Sequence, residues 1–352
     1  MTRVLPKPIA ITMGDAAGIG PEIIARAFAE QAQTLRHAVV VGDVATMQRA
    51  LDVVAQAHPD LPKPFVERVD TLHALSLLPE GVLPVWQVGA PWTADDLPVF
   101  GRVQAHAGVR AADAVLWAAQ AALHGDVAAL VTAPLHKEAL SAAGVPFPGH
   151  TELLQACAAE HAGVAVADMP VRMMLANDQL RTVLVSIHVP LRDAIAAVTL
   201  DNVWQTLRIT DAAERRRLGR APRIALAGLN PHAGEGGLMG REELDILIPA
   251  VQQARAQGLE VSGPHAPDTV FMRARDTRDH PGEFDVVVAM YHDQGLIPVK
   301  YLGLDRGVNV TLGLPLVRTS PDHGTAFDLA GTGRADPTSL LAALSKAREL
   351  LG

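Results

Sequence analysis

Tyr291-His-Asp-Gln294 sets an imidazole, a carboxylate and a carboxamide in a row, directly after the apolar run Phe284-Asp-Val-Val-Val-Ala-Met290. That run reads as a short buried strand over 284–290. In an open α/β sheet the carboxyl ends of the strands face the ligand crevice. A His-Asp-Gln cluster there has the chemistry to bind a metal ion or to move a proton. The competing reading is a polar strand end whose groups cap a neighbouring helix. Gly295 then frees the backbone, and Lys300 arrives eight residues after His292. Two more histidines follow expected strands: His188 after 182–187 and His232 after 223–229. Three imidazoles can hold a divalent ion and leave positions open for substrate oxygens. Such an ion polarises a hydroxyl or a developing carbonyl. Spacing alone leaves three unrelated cap or surface histidines equally open.

Other residue types point to an anion. Lys300, Asn309 and Arg318 supply two cations and a hydrogen-bonding amide, the groups that neutralise and orient a phosphate. His150 and Thr151 precede a helix expected over 152–160, whose first amides favour anions. Capping alone would also explain Thr151. Asp322-His-Gly-Thr325 suits either a nucleotide contact or a turn before a helix. Asp293 and Lys137 are the candidates for proton transfer. Glycines at 14, 18 and 20 permit a tight turn after a strand over 9–13. The spacing lacks the lysine of a Walker loop and the full dinucleotide fingerprint. Asp15 and Glu22 can face a polar ligand there, against a plain strand-turn-helix start.

The elements that must position these groups alternate strand and helix. Strands are expected over 38–41 and 127–132, and helices over 21–35 and 109–124. Residues 86–104 read as a loop. Strands over 171–176 and 182–187 form a hairpin through Asn177-Asp178, which makes the sheet mixed. Helices are expected over 191–207, 242–257 and 338–351. The order predicts mostly parallel sheets covered by helices. At 352 residues the chain exceeds one hydrophobic core, so about two domains follow. A net charge of -8 argues against a nucleic-acid surface, and the basic stretch 215–223 reads as a solvated helix end. The lone cysteine, Cys157, permits no intrachain disulfide, suits a reducing cytoplasm and reads as a buried, inert thiol. The first residues carry no apolar signal core, and no run is long enough to span a membrane.

Together these motifs resemble the 4-hydroxythreonine-4-phosphate dehydrogenase family of vitamin B6 biosynthesis. The match begins at Ile11-Thr-Met-Gly-Asp-Ala-Ala-Gly-Ile-Gly-Pro-Glu22. It continues through Gly149-His-Thr-Glu152, Asn230-Pro-His-Ala-Gly-Glu-Gly-Gly237 and Tyr291-His-Asp-Gln-Gly295, then Gly307-Val-Asn-Val-Thr-Leu-Gly-Leu-Pro315 and Asp322-His-Gly-Thr325. The resemblance implies an isocitrate/isopropylmalate-dehydrogenase-like α/β fold with two lobes, 1–132 plus 301–352 and 133–300. It implies a homodimer whose active site takes histidines from both subunits. It implies NAD and one divalent ion (Zn, Mg, Mn or Co) on His188, His232 and His292. His150, Thr151, Lys300, Asn309 and Arg318 match its substrate contacts, and Asp322 and Thr325 are placed on the cofactor side. The implied reaction oxidises the C3 alcohol of 4-phosphooxy-L-threonine and releases CO2. Ala16 stands where a proline is common, and Leu296-Ile-Pro-Val-Lys300 and Thr151-Glu-Leu-Leu154 look closer to relatives acting on other four-carbon sugar-acid phosphates. An unphosphorylated diol as substrate, or a metabolite sensor without catalysis, is the further alternative.

Overall fold

Short runs of Val, Ile and Ala, closed by glycine or aspartate turns, build the strands of a computed structural model that describes residues 7–303 and 305–351. Residues 1–6, where the missing signal core was read, lie outside the described residues. Two compact units divide the chain: Met1–Met169 with Leu314–Arg348, and Pro170–Gly313 with Glu349–Gly352. The changeovers at 169/170 and 313/314 differ from the expected 132/133 and 300/301, so residues 133–169 group with the first unit.

The first unit holds β1 (Ile9–Thr12), β2 (Ala38–Gly42), β3 (Phe65–Arg68), β4 (Val82–Gln87) and β5 (Ala129–Thr132), with β12 (Arg318–Pro321) returning late in the chain. Their order is β3-β4-β2-β1-β5-β12, and every pairing is parallel. β1, β2, β5 and β12 are buried at every residue, as strands covered on both faces must be. Asp43, at the end of β2, caps the helix Val44–Ala57 by accepting from Thr46 N at 2.9 Å. Its other oxygen accepts from Gln87 Nε2 and from Trp92 N, at 3.0 and 3.1 Å. Arg110 bonds the carbonyls of Val88 and Ala90 and lies over the Trp92 ring. The 86–104 excursion is therefore a pinned loop, with one short 3-10 turn at Ala94–Asp96.

The second unit holds β6 (Arg172–Ala176), β7 (Arg181–Leu184), β8 (Ile224–Ala227), β9 (Val261–His265), β10 (Val286–Ala289) and β11 (Val308–Leu312). Their order is β11-β6-β7-β10-β8-β9. The hairpin is present: β6 and β7 are antiparallel, and Asn177 Oδ1 accepts from Gln179 N and Leu180 N to close the turn. β11 also runs antiparallel to β6, while β7, β10, β8 and β9 pair in parallel. The core joins Leu184, Ala227, Val287 and Ala289 of the sheet to Phe271 and to Leu296 and Val299 of the helix His292–Tyr301. Gly295 lets that helix approach: a Cβ there would stand 2.4 Å from Leu184 Cδ2.

Three local expectations change. The helix expected over 191–207 is two, Leu191–Ala196 and Leu200–Leu218, because Thr199 caps the second by accepting from Asn202 N at 3.2 Å. The second helix carries Arg215–Arg217 in its last turn, where they suit the helix dipole, and ends at left-handed Gly219. The helix expected over 242–257 opens with a π turn, Glu243–Leu247, before Ile248–Ala256. Cys157 is half-buried rather than buried; burial, with the Glu160 carboxylate, pushes its thiol pKa up and keeps it a poor nucleophile. Among the described residues no helix is long and apolar enough to cross a membrane.

Candidate functional site

In the first unit β5 and β12 lie side by side, with Arg318 opposite Leu130. The register brings the Arg318 guanidinium to Thr132, whose Oγ1 accepts from Nε at 3.1 Å and from Nη2 at 2.8 Å. Arg318 is buried at 4% exposure. Burial lowers its pKa to about 10, opposed by the Glu152 carboxylate, so it remains a cation at neutral pH. His150 is the first residue of the helix His150–Ala162, behind extended Gly149. Its Nε2 is buried without a hydrogen-bond partner. Burial, and then the Arg318 charge, holds its pKa well below 6.5. Thr151 lies inside the first turn; the helix is capped by no side chain, so the expected Thr151 cap is absent. The unsatisfied amides of that turn, a neutral imidazole and a buried guanidinium form an anion-binding arrangement.

The depressed His150 pKa has a consequence for stability. Below the ordinary value of 6.5 the unfolded chain binds a proton that native His150 does not. Its contribution is whole above that value and is lost as pH falls toward the native one. The urea midpoint of the wild type should therefore fall from about pH 7 to about pH 5 more steeply than that of His150→Gln. Parallel curves would show that His150 is not the buried neutral group described.

The glycine turn 14–20 also lies in the first unit. Gly14 has φ 72°, and a Cβ there would stand 2.2 Å from Pro134 O. Asp15 N donates to that same carbonyl, and Asp15 Oδ1 accepts from Ala17 N at 2.8 Å. Burial raises the Asp15 pKa, and its Oδ2 has no partner. Glu22 does not face a ligand; its carboxylate accepts from Gly331 N and Gly333 N. Thr325 is packed on the turn, its carbonyl accepting from Ile19 N at 3.0 Å. No helix follows the 322–325 segment directly; the next begins at Thr338. His136 stacks on Phe327 at 4.6 Å, and Lys137 is exposed at the start of the short helix Lys137–Ala142.

In the second unit the strand-end cluster opens a helix instead of capping another. His292 starts the helix His292–Tyr301, with Lys300 in its last turn. Gln294 accepts from Met290 N and donates to Gly228 O, both at 2.7 Å. It thereby ties the ends of β10 and β8, the strands that lead to His292 and His232. His292 Nδ1 meets Asp293 Oδ1 at 2.7 Å. This fixes the tautomer and leaves Nε2 for a ligand, as in carboxylate-oriented metal histidines. His188, at φ 31°, has its ring 5.5 Å from that of His292. His232 lines a cavity of about 620 Å3 with Asp268, Tyr291, Asp293 and Gln294. Among the described residues no group of three or more His, Cys, Asp or Glu converges to hold a metal ion within one chain. Asn309 stands half-buried on β11, opposite Leu175. Thr132 was not foreseen from the sequence; it is a threonine ending an apolar strand, with nothing local to mark it. Gln294, left open between a ligand-type and a structural polar group, is a strand tie.

The family model described as "Pyridoxal phosphate biosynthetic protein PdxA" matches residues 34–347. A 4-hydroxythreonine-4-phosphate dehydrogenase of Beijerinckia indica is 49% identical over 347 residues, covering 99% of this chain and 96% of that protein. A D-threonate 4-phosphate dehydrogenase of Salmonella typhimurium is 43% identical over 344 residues, covering 98% and 99%. The crystal structure of a 4-hydroxythreonine-4-phosphate dehydrogenase from Klebsiella pneumoniae superposes with a TM-score of 0.84 at 41% identity, covering 98% of this chain and all of that one.

Proposed function

Because the chain belongs to the PdxA family, we propose that it is a dehydrogenase that oxidises 4-phosphooxy-L-threonine with NAD and releases 3-amino-2-oxopropyl phosphate and CO2. The full-length 49% identity to a relative of that name carries the reading. The buried Arg318 beside His150 supports a phosphorylated substrate. Asp322 and Thr325 are the proposed cofactor contacts, and Lys300 and Asn309 further substrate contacts.

His188 and His292, with His232, would hold a divalent ion (Zn, Mg, Mn or Co). The donor set fits, since His292 is already oriented through Nδ1 and two imidazoles lie close together. When bound, such an ion supplies Lewis-acid polarisation of the reacting oxygen. Arg318, His150 and the amides after Gly149 bind the phosphate and orient C3. Hydride leaves C3 for NAD as the C3 hydroxyl loses its proton. The resulting β-keto acid breaks its C1–C2 bond; the electron pair passes to the ketone oxygen, and C2 is then protonated. Asp293 and Lys137 are the proposed proton carriers. Asp293 is engaged with His292 and so also orients the imidazole.

A homodimer with a shared site accounts for two features: the lack, among the described residues of one chain, of a convergent group of three metal-type ligands, and the exposed Met272, Ile297 and Tyr301, of which the first two line the His232 cavity. Exposed apolar clusters of this kind mark interfaces. The biosynthetic family and the single cysteine support a cytoplasmic location.

The D-threonate relative at 43% identity favours a second substrate, which carries a hydroxyl where phosphooxythreonine carries an amine. NADH formation should be measured with each phosphate, with its unphosphorylated counterpart, and with NAD or NADP. Turnover of phosphooxythreonine above threonate phosphate is expected. The reverse order would replace the substrate and keep the mechanism; no reduction of either cofactor would sink the dehydrogenase reading.

A further inference from the structure

His232 sits on a backbone that L-residues rarely adopt. His232, Ala233 and Glu235 have φ of 52°, 54° and 44°, and Gly234 and Gly236 complete five consecutive left-handed residues. Non-glycine residues there are strained and persist only where their surroundings over-determine them. The surroundings here include one buried carboxylate. Glu243 is 2% exposed. Its Oε1 accepts from Leu229 N and Asn230 N, both at 2.8 Å, and its Oε2 accepts from Asn230 Nδ2 at 2.9 Å. A Cβ on Gly234 would stand 2.7 Å from Glu243 Oε2, so the turn is wrapped on the carboxylate without spare room. Glu243 also opens the π turn Glu243–Leu247, a widened turn that recurs at functional sites. A buried carboxylate is costly unless donors meet it, and the donors found here all come from the start of the loop that carries His232.

We propose that Glu243 is a positioning residue: it holds the left-handed turn so that His232 presents its imidazole to the metal. The proposal rests on His232 being a metal ligand. Direct contact with substrate is not part of the role, because the carboxylate is spent on loop groups.

The test titrates Co2+ alone into the metal-stripped full-length protein, well below each variant's Tm. His232→Ala is the reference and is expected to lose most of its affinity. Glu243→Ala is expected to bind Co2+ about 10–100-fold more weakly than wild type, the usual effect of removing support behind a ligand. Glu243→Gln can keep both backbone bonds through its amide oxygen and should stay within about threefold. A merely structural role would lower Tm in both variants and leave Co2+ affinity unchanged. Folded Glu243→Ala binding as wild type, with His232→Ala weakened, would overturn the proposal alone. Wild-type affinity in His232→Ala would overturn the ligand reading, and this proposal with it. Should Glu243→Ala fail to fold, Glu243→Asp draws the carboxylate back by one methylene from all three of its loop donors. Weakening beyond about threefold there supports the role, and unchanged binding overturns it.

Discussion

Replacing Arg318 by alanine is expected to lower kcat/KM for the phosphorylated substrate by about 10²–10³, while a matched unphosphorylated alcohol loses under about tenfold. The guanidinium is buried and already directed by two bonds to Thr132. Truncating one partner of a desolvated charge pair costs about 2–5 kcal/mol, and each 1.4 kcal/mol is tenfold. Burial lowers the His150 pKa, so its imidazole is a poor substitute for the lost charge. Arg318→Lys should recover part of the loss, since an ammonium keeps the charge and lacks the planar fork. NADH formation under subsaturating substrate reads each of these values. Equal losses for both substrates would remove the phosphate-specific role.

That prediction joins residues whose types were legible in the sequence to a geometry that was not. Arg318 was visible as a cation among candidate phosphate ligands. Its burial depends on the pairing of β5 with β12, which are far apart in the chain, and no local pattern reports that register. The hairpin at Asn177 was legible because turn chemistry is local: one Asx side chain closes it. The strand before His292 was legible for the same kind of reason, as a β-branched run with abrupt ends. The helix that His292 opens was not, because Gly295 and Pro298 argue against a helix by propensity. Packing overrides that preference, since a Cβ at 295 would crowd Leu184 and Ala289 of the sheet. The role of Glu22, left open between a ligand contact and a plain strand-turn-helix start, was not legible because its partners, Gly331 and Gly333, lie about 310 positions away and bond through backbone amides that any residue type could supply.

The remaining expectation concerns how the imidazoles are shared. His292→Ala alone should lose about 10³-fold or more in kcat, since removing a ligand forfeits several kcal/mol of charge stabilisation. The same is expected for His232→Ala. Mixing the two dead variants, after subunit exchange, is a different matter. Random pairing makes about half of the dimers mixed. If His232 and His292 of one site come from different subunits, each mixed dimer has one site with all its ligands and one lacking two. Activity should therefore return to about a quarter of wild type, one intact site in two across half of the molecules. If one chain supplied both residues, every site in the mixture would lack a ligand and no activity would return. The second outcome would also contradict the shared-site reading of the exposed Ile297 and Tyr301 on the helix that begins with His292. Native mass spectrometry with one variant isotopically labelled shows the mixed dimer directly, so that a silent mixture counts against sharing and not against exchange.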